Sequence, residues 1–185
     1  MPHNSFKNHF LVAMPTLADP YFHKSVTYLC EHHEEGAMGI MINQPIELTL
    51  KEMLASLGLD IDASVPESTL VNGGPVAQER GFILHTGDKQ WETTMNIGEN
   101  ISLTASKDIL VDIANNNGPE DTIIALGYAG WDSGQLEEEI ASNHWLTVPA
   151  DKDIIFATSH QQQWSAAAGK LGIDLNLISS QMGHA

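Results

Sequence analysis

The chain has 185 residues, 42% of them hydrophobic and 17% charged, and its eight basic against 24 acidic side chains give a net charge of −16. Length and composition suit a single folded domain over residues 1–185 and exclude a disordered or fibrous chain. The basic residues are scattered singly, which disfavours direct nucleic-acid binding. No apolar run nears the ~18 residues of a membrane span, no signal-peptide pattern opens the chain, and one cysteine cannot close an internal disulfide, so a soluble cytoplasmic protein is expected.

In chain order, "HFLVAM" (9–14) reads as a strand, followed by "SVTYLCEH" (25–32) and "AMGIMIN" (37–43). "HEEG" separates the last two as a hairpin with Gly36 in the turn. "TLKEMLASLG" then reads as a helix, with Thr49 and Glu52 as a capping box and Gly58 as its stop. The short segments "TLVNG", "GFILHT" and "ISLT" read as strands, and "SKDILVDIANNNG" as a helix starting at Ser106. "DTIIALGY" is a further strand. It leads into the helix "WDSGQLEEEIASN", with an Asp132–Gln135 box and a Trp131–Leu136 staple. "HWLTV" and "DIIFAT" follow as strands, and "SHQQQWSAAAGKLG" closes the series as a helix capped by Ser159 that buries Trp164, Ala168 and Leu171. This irregular order predicts an α+β fold with mostly antiparallel pairing and about four flanking helices, rather than a doubly wound parallel sheet.

The chemistry-bearing residues concentrate at "LCEHHEEG". Alternation along a strand places Tyr28, Cys30 and His32 on one face, with the Cys30 and His32 Cα atoms ~7 Å apart. A nucleophilic thiolate needs positive charge nearby, whereas Glu31, Glu34 and Glu35 surround this one. Cys30 and His32 are thus the only catalytic candidates, and structural packing of the cysteine is the simpler reading. Glu31, His32 and His33 alternate between faces and lack the paired spacing of a zinc site, so no metal is expected. No phosphate-binding glycine motif appears, no cofactor is expected, and "GGPV" reads as a turn. "LGYAGWDSGQLEEEI" is the most distinctive stretch, and its Tyr128, Trp131 and Gln135 are the candidate binding surface.

Taken together, "HFLVAMPTLADPYFHKSVTYLCEHHEEGAMGIMINQP", "GGPV", "GFILHT", "LTASKDIL", "LGYAGWDSGQLEEEI" and the terminal "GHA" make the chain resemble the AlgH/YqgE family of bacterial proteins. His33 stands where the family pattern more often carries Asn. The resemblance implies a bifurcated sheet folded into a pseudo-barrel with flanking helices, a cytosolic location and no established biochemical activity. It also brings the label of transcriptional regulator that some members carry. With the charge balance, the expected function is non-enzymatic, exerted through an unknown protein partner and acting on gene expression indirectly. A thiol-based redox activity of Cys30 with His32 is the alternative, and a direct DNA-binding regulator is third.

Overall fold

The computed structural model describes residues 4–182. The terminal "GHA" motif lies outside these residues. Ten strands form one sheet: β1 (His9–Ala13), β2 (Val26–His33), β3 (Gly36–Met41), β4 (Pro45–Thr49), β5 (Thr69–Asn72), β6 (Val76–His85), β7 (Met95–Gly98), β8 (Ile101–Thr104), β9 (Thr122–Asp132) and β10 (Trp145–Pro149). The order is β10-β1-β2-β3-β9-β6-β8-β7, with β4 and β5 as a branch. All pairings are antiparallel except β5 with β9.

The branch originates on the long strand β9. One edge pairs with β6 along most of its length. The other edge pairs first with β5, at Ala125 and Leu126, and then with β3, from Ala129 to Asp132. Gly127 stands at the changeover with φ +81°. A Cβ on Gly127 would lie 2.4 Å from the Gly74 carbonyl oxygen, and one on Gly74 would lie 2.0 Å from the Tyr128 carbonyl carbon. Only glycine lets these backbones approach so closely. The "GGPV" and "LGYAG" motifs are therefore two halves of the fork in an α+β sheet that curls into a half-barrel.

Alternating side chains sort the core between the two faces. Phe10, Val12, Val26, Tyr28, Phe82 and Leu84 pack into the concave cluster. Its far end is filled by α4 (Lys152–Phe156), α5 (His160–Gly169) and α6 (Leu175–Met182). Trp164 of α5 is anchored there by an N–H bond to the Ala13 carbonyl, 2.9 Å. On the outer face, α1 (Leu50–Ser56) and α2 (Asp108–Ala114) cover one branch with Leu54, Ile109 and Ile113. The other branch is covered by Leu136 of α3 (Gln135–Ala141), packed with Leu11, Leu29, Trp131 and Trp145. Among the described residues no helix is long and apolar enough to cross a membrane.

Several expectations need correction. There are six α-helices among the described residues, not four. "DIIFAT" lies largely in helix α4, not a strand: the Asp151 carboxylate accepts from the Asp153 N–H at its start, and Ile154 and Ile155 are both buried against the concave cluster. Strand β9 continues through Asp132, so α3 begins only at Gln135, with Gly134 (φ +78°) as its cap. Half of the expected box remains, since Gln135 Oε1 accepts from the Asp132 N–H at 3.0 Å. Helix α2 is capped at Lys107 rather than Ser106. Leu171 is exposed, because α5 ends before it. The Thr49 cap holds as expected, accepting from the Glu52 N–H at 3.2 Å.

Candidate functional site

The concave face is filled at its helical end and open at the hairpin end. There a groove of about 690 Å³ lies between the β2–β3 hairpin, β9 and the β6–β8 strands. Its floor is apolar and aromatic: Met38, Met95, Phe82, Leu103 and Tyr128. Most of these also pack on the concave cluster, and the Phe82 and Tyr128 rings meet edge to face with centroids 5.6 Å apart. Gly130, opposite Met38 in the β3–β9 register, leaves the centre of the floor low. The hairpin rim carries Glu31, Glu35 and His33, with Asp132 beside them on β9. The facing rim carries Arg80, the chain's single arginine, laid over the Phe82 ring at 5.3 Å. Mouths of β-barrels are a recurrent place for ligand sites, where a mostly apolar floor meets a few placed polar groups.

The hairpin side chains reach this rim because β2 is irregular. Leu29 pairs with Gly39 and Glu31 with Met38, so Cys30 is an extra residue in a β-bulge. A bulge resets strand alternation. Cys30 packs into the concave core with no exposed surface, and its S–H lies 3.5 Å from the Tyr28 carbonyl oxygen. Glu31 and His33 then line the groove. His32 turns to the outer face, where its ring stacks on Phe6. Its Nδ1 accepts from the Phe6 N–H at 2.9 Å, which places the ring hydrogen on Nε2, 2.6 Å from Glu137 Oε1 of α3. The expected shared face of Cys30 and His32 is therefore overturned by the bulge, and the two candidates are not brought together. Burial, reinforced by the Glu31 charge, pushes the Cys30 thiol well above its ordinary range. We expect an aromatic disulfide reagent at pH 8 to leave the folded protein unmodified over minutes and to label one thiol per chain once guanidinium unfolds it. Rapid labelling of the folded protein would contradict this placement.

Of the expected binding surface, Tyr128 and Trp131 both line the groove and Gln135 does not. Trp131 is buried, 7% exposed, with its N–H donating to Glu139 Oε2 at 3.0 Å. Its role as an exposed aromatic is corrected: β9 turns its ring outward under α3, against Trp145. Burial lifts the Glu139 carboxyl above the usual carboxylate range. Gln135 is exposed and occupied with the Asp132 backbone. Sequence reading missed Met38, Arg80, Phe82, Met95 and Gly130. No local pattern links them; only the sheet order gathers them. Among the described residues, no three His, Cys, Asp or Glu side chains gather as a metal-binding group.

The family model described as DUF179, AlgH-like, matches residues 10–176. The chain belongs to the AlgH-like family. It is 53% identical over 182 residues to a UPF0301 protein of Thioalkalivibrio sulfidiphilus, covering 98% of each chain. It is 52% identical over 181 residues to a UPF0301 protein of Saccharophagus degradans, covering 98% of this chain and 89% of that one. Its fold is similar to the solution structure of the AlgH protein from Pseudomonas aeruginosa, with TM-score 0.78, 44% identity and full coverage of both chains. A Corynebacterium diphtheriae protein at 18% identity and TM-score 0.73, covering 97% of this chain and 94% of that one, shares the fold. The AlgH-like family thus contains chains related along their whole length to this one.

Proposed function

We propose that this AlgH-like protein is a cytosolic, non-enzymatic recognition protein that seats a segment of a protein partner in the concave groove. The observation that carries the reading is the groove itself, about 690 Å³ in volume, with an apolar floor and Glu31, Glu35 and Asp132 along one rim. The floor suits one or two apolar side chains, and the acidic rim suits lysine or arginine beside them. The net charge of −16 steers a basic segment toward the molecule and repels an acidic one. Any effect on gene expression then runs through that partner and not through an operator, since the same field repels the phosphate backbone of DNA.

The test is a set of fluorescein-labelled extended peptides with one Phe or Leu anchor and matched hydropathy, differing only in flanking Lys/Arg, Ser/Gln or Asp/Glu. Anisotropy is expected to show saturable binding of the basic peptide, weakened by salt, and none of the acidic one. Equal binding of all three, or preference for the acidic peptide, would overturn the reading.

A further inference from the structure

We propose that a second cleft, formed by the segment preceding β2, the connection between β3 and β4, and helices α5 and α6, is a binding site for a phosphate monoester. Its volume is about 450 Å³. It is lined by His23, Lys24, Gln44, His160 and Ser165 among others, and no carboxylate lines it. That is a local reversal in a chain with 24 acidic residues.

The central group is Lys24. Its backbone adopts φ +56° and is held by the Asn43 amide, which donates to the Lys24 carbonyl at 2.9 Å and accepts from the Val26 N–H at 2.9 Å. Its Nζ lies 5.4 Å from the centroid of Trp164, an indole itself fixed to Ala13. Lys89 and Lys170 sit against Asp112 and Asp151, whereas Lys24 forms no ion pair among the described residues. An ammonium positioned by an aromatic face and its own backbone, rather than by a carboxylate, retains its charge for an incoming anion. Lysine binds phosphate as a point charge.

His160 supplies a second fixed group. The Gln163 NH₂ donates to the Ile154 and Ile155 carbonyls, at 2.9 and 3.3 Å, so its Oε1 is left to accept from His160 Nδ1–H at 3.1 Å. Nε2 is then the ring's remaining polar atom. It accepts from a P–OH or, once protonated, donates to a P–O⁻. Asp174, on the approach to α6, is taken up by the Asn176 and Leu177 N–H groups. The acidic surface opposes anions at long range, but at 0.15 M salt charges beyond about 8 Å are largely screened and the cleft's own groups decide. A phosphate does not fill 450 Å³; the organic part of the ester lies against the amides of Gln44, Gln161 and Asn176.

The experiment is an amide-correlation NMR titration of the full chain with inorganic phosphate, with glycerol 3-phosphate, and with potassium chloride at matched ionic strength. Saturable shifts are expected at Lys24, Gln161, Ser165, Asn176 and the Trp164 indole, larger in affinity for the ester than for the free ion, and absent with chloride. Lys24→Gln, by losing one charge-assisted contact, and Ser165→Asp, by placing a carboxylate against the anion, are each expected to weaken binding about tenfold or more. Lys24→Arg is expected to retain it. The rest of the spectrum reports folding of each variant; were Lys24→Gln to unfold, the exposed Ser165→Asp decides. Shifts that do not saturate or that chloride reproduces mean an adventitious ion only and overturn the proposal, as does unchanged affinity in both weakening variants.

Discussion

Gly74→Ala is expected to destabilise the protein by about 4 kcal/mol, combining roughly 1–3 kcal/mol of backbone strain with roughly 1–3 kcal/mol of overpacking. The glycine has φ +154°, and its added Cβ would sit 2.0 Å from the Tyr128 carbonyl carbon and 2.3 Å from the Ala129 nitrogen. Both obstacles are backbone atoms of β9, so no rotamer change relieves them. The strands must separate where the sheet forks, and the β4–β5 branch loses its seat beside β3. Such a loss is a large part of the ~5–15 kcal/mol that holds a domain folded. Gly81→Ala on β6 is the internal control, since a Cβ there meets nothing within 4 Å and φ is not in the left-handed region. Urea unfolding of both variants checks the account, and a Gly74→Ala cost below about 1 kcal/mol, within the range of an ordinary surface substitution, would contradict it.

Gly130→Val is expected to weaken groove binding strongly while leaving the fold intact. A Cβ at Gly130 would lie 3.5 Å from Tyr128 Cε2 and 4.0 Å from the Ala37 carbonyl oxygen, which is ordinary contact. The added Cβ therefore enters the groove floor without strain, and valine suits a strand better than glycine by ~0.5–1 kcal/mol. Stability should hold or rise, and affinity for the basic peptide should fall by about tenfold or more, at least 1.4 kcal/mol. The opposite signs of the two effects separate a blocked site from a damaged fold. Unchanged affinity would place any peptide site elsewhere.

Much of the scaffold was legible in the sequence because it follows local rules. The Thr49 box and Gly58 bracket α1 nearly as drawn, and "HEEG" marks the β2–β3 hairpin. What period-two counting cannot register is an inserted residue. The bulge at Cys30 shifts Glu31 and His33 into the groove and His32 out of it. "DIIFAT" carries the β-branched composition of a strand, but the Asp151 cap and burial of adjacent Ile154 and Ile155 among the other C-terminal helices outweigh it. Trp131 lies on β9 beyond the fork, where the left-handed Gly127 changes which residues face outward. The groove was least legible of all, since Glu31, Arg80 and Asp132 meet across a sheet whose order departs from chain order. Tyr128 and Trp131 were singled out in advance, through the unusual glycine spacing around them, but the Trp131 ring packs on the outer face.

The most direct test of the groove as the recognition surface is a methyl-resolved NMR titration of methionine-labelled protein with the basic, apolar-anchored peptide. Met38 and Met95 lie on the groove floor, whereas Met53 is a buried residue of α1 on the outer face. The account predicts saturable shifts of the Met38 and Met95 methyls, no movement of Met53, and strongly weakened binding in Gly130→Val. Binding that leaves Met38 and Met95 unmoved would contradict it.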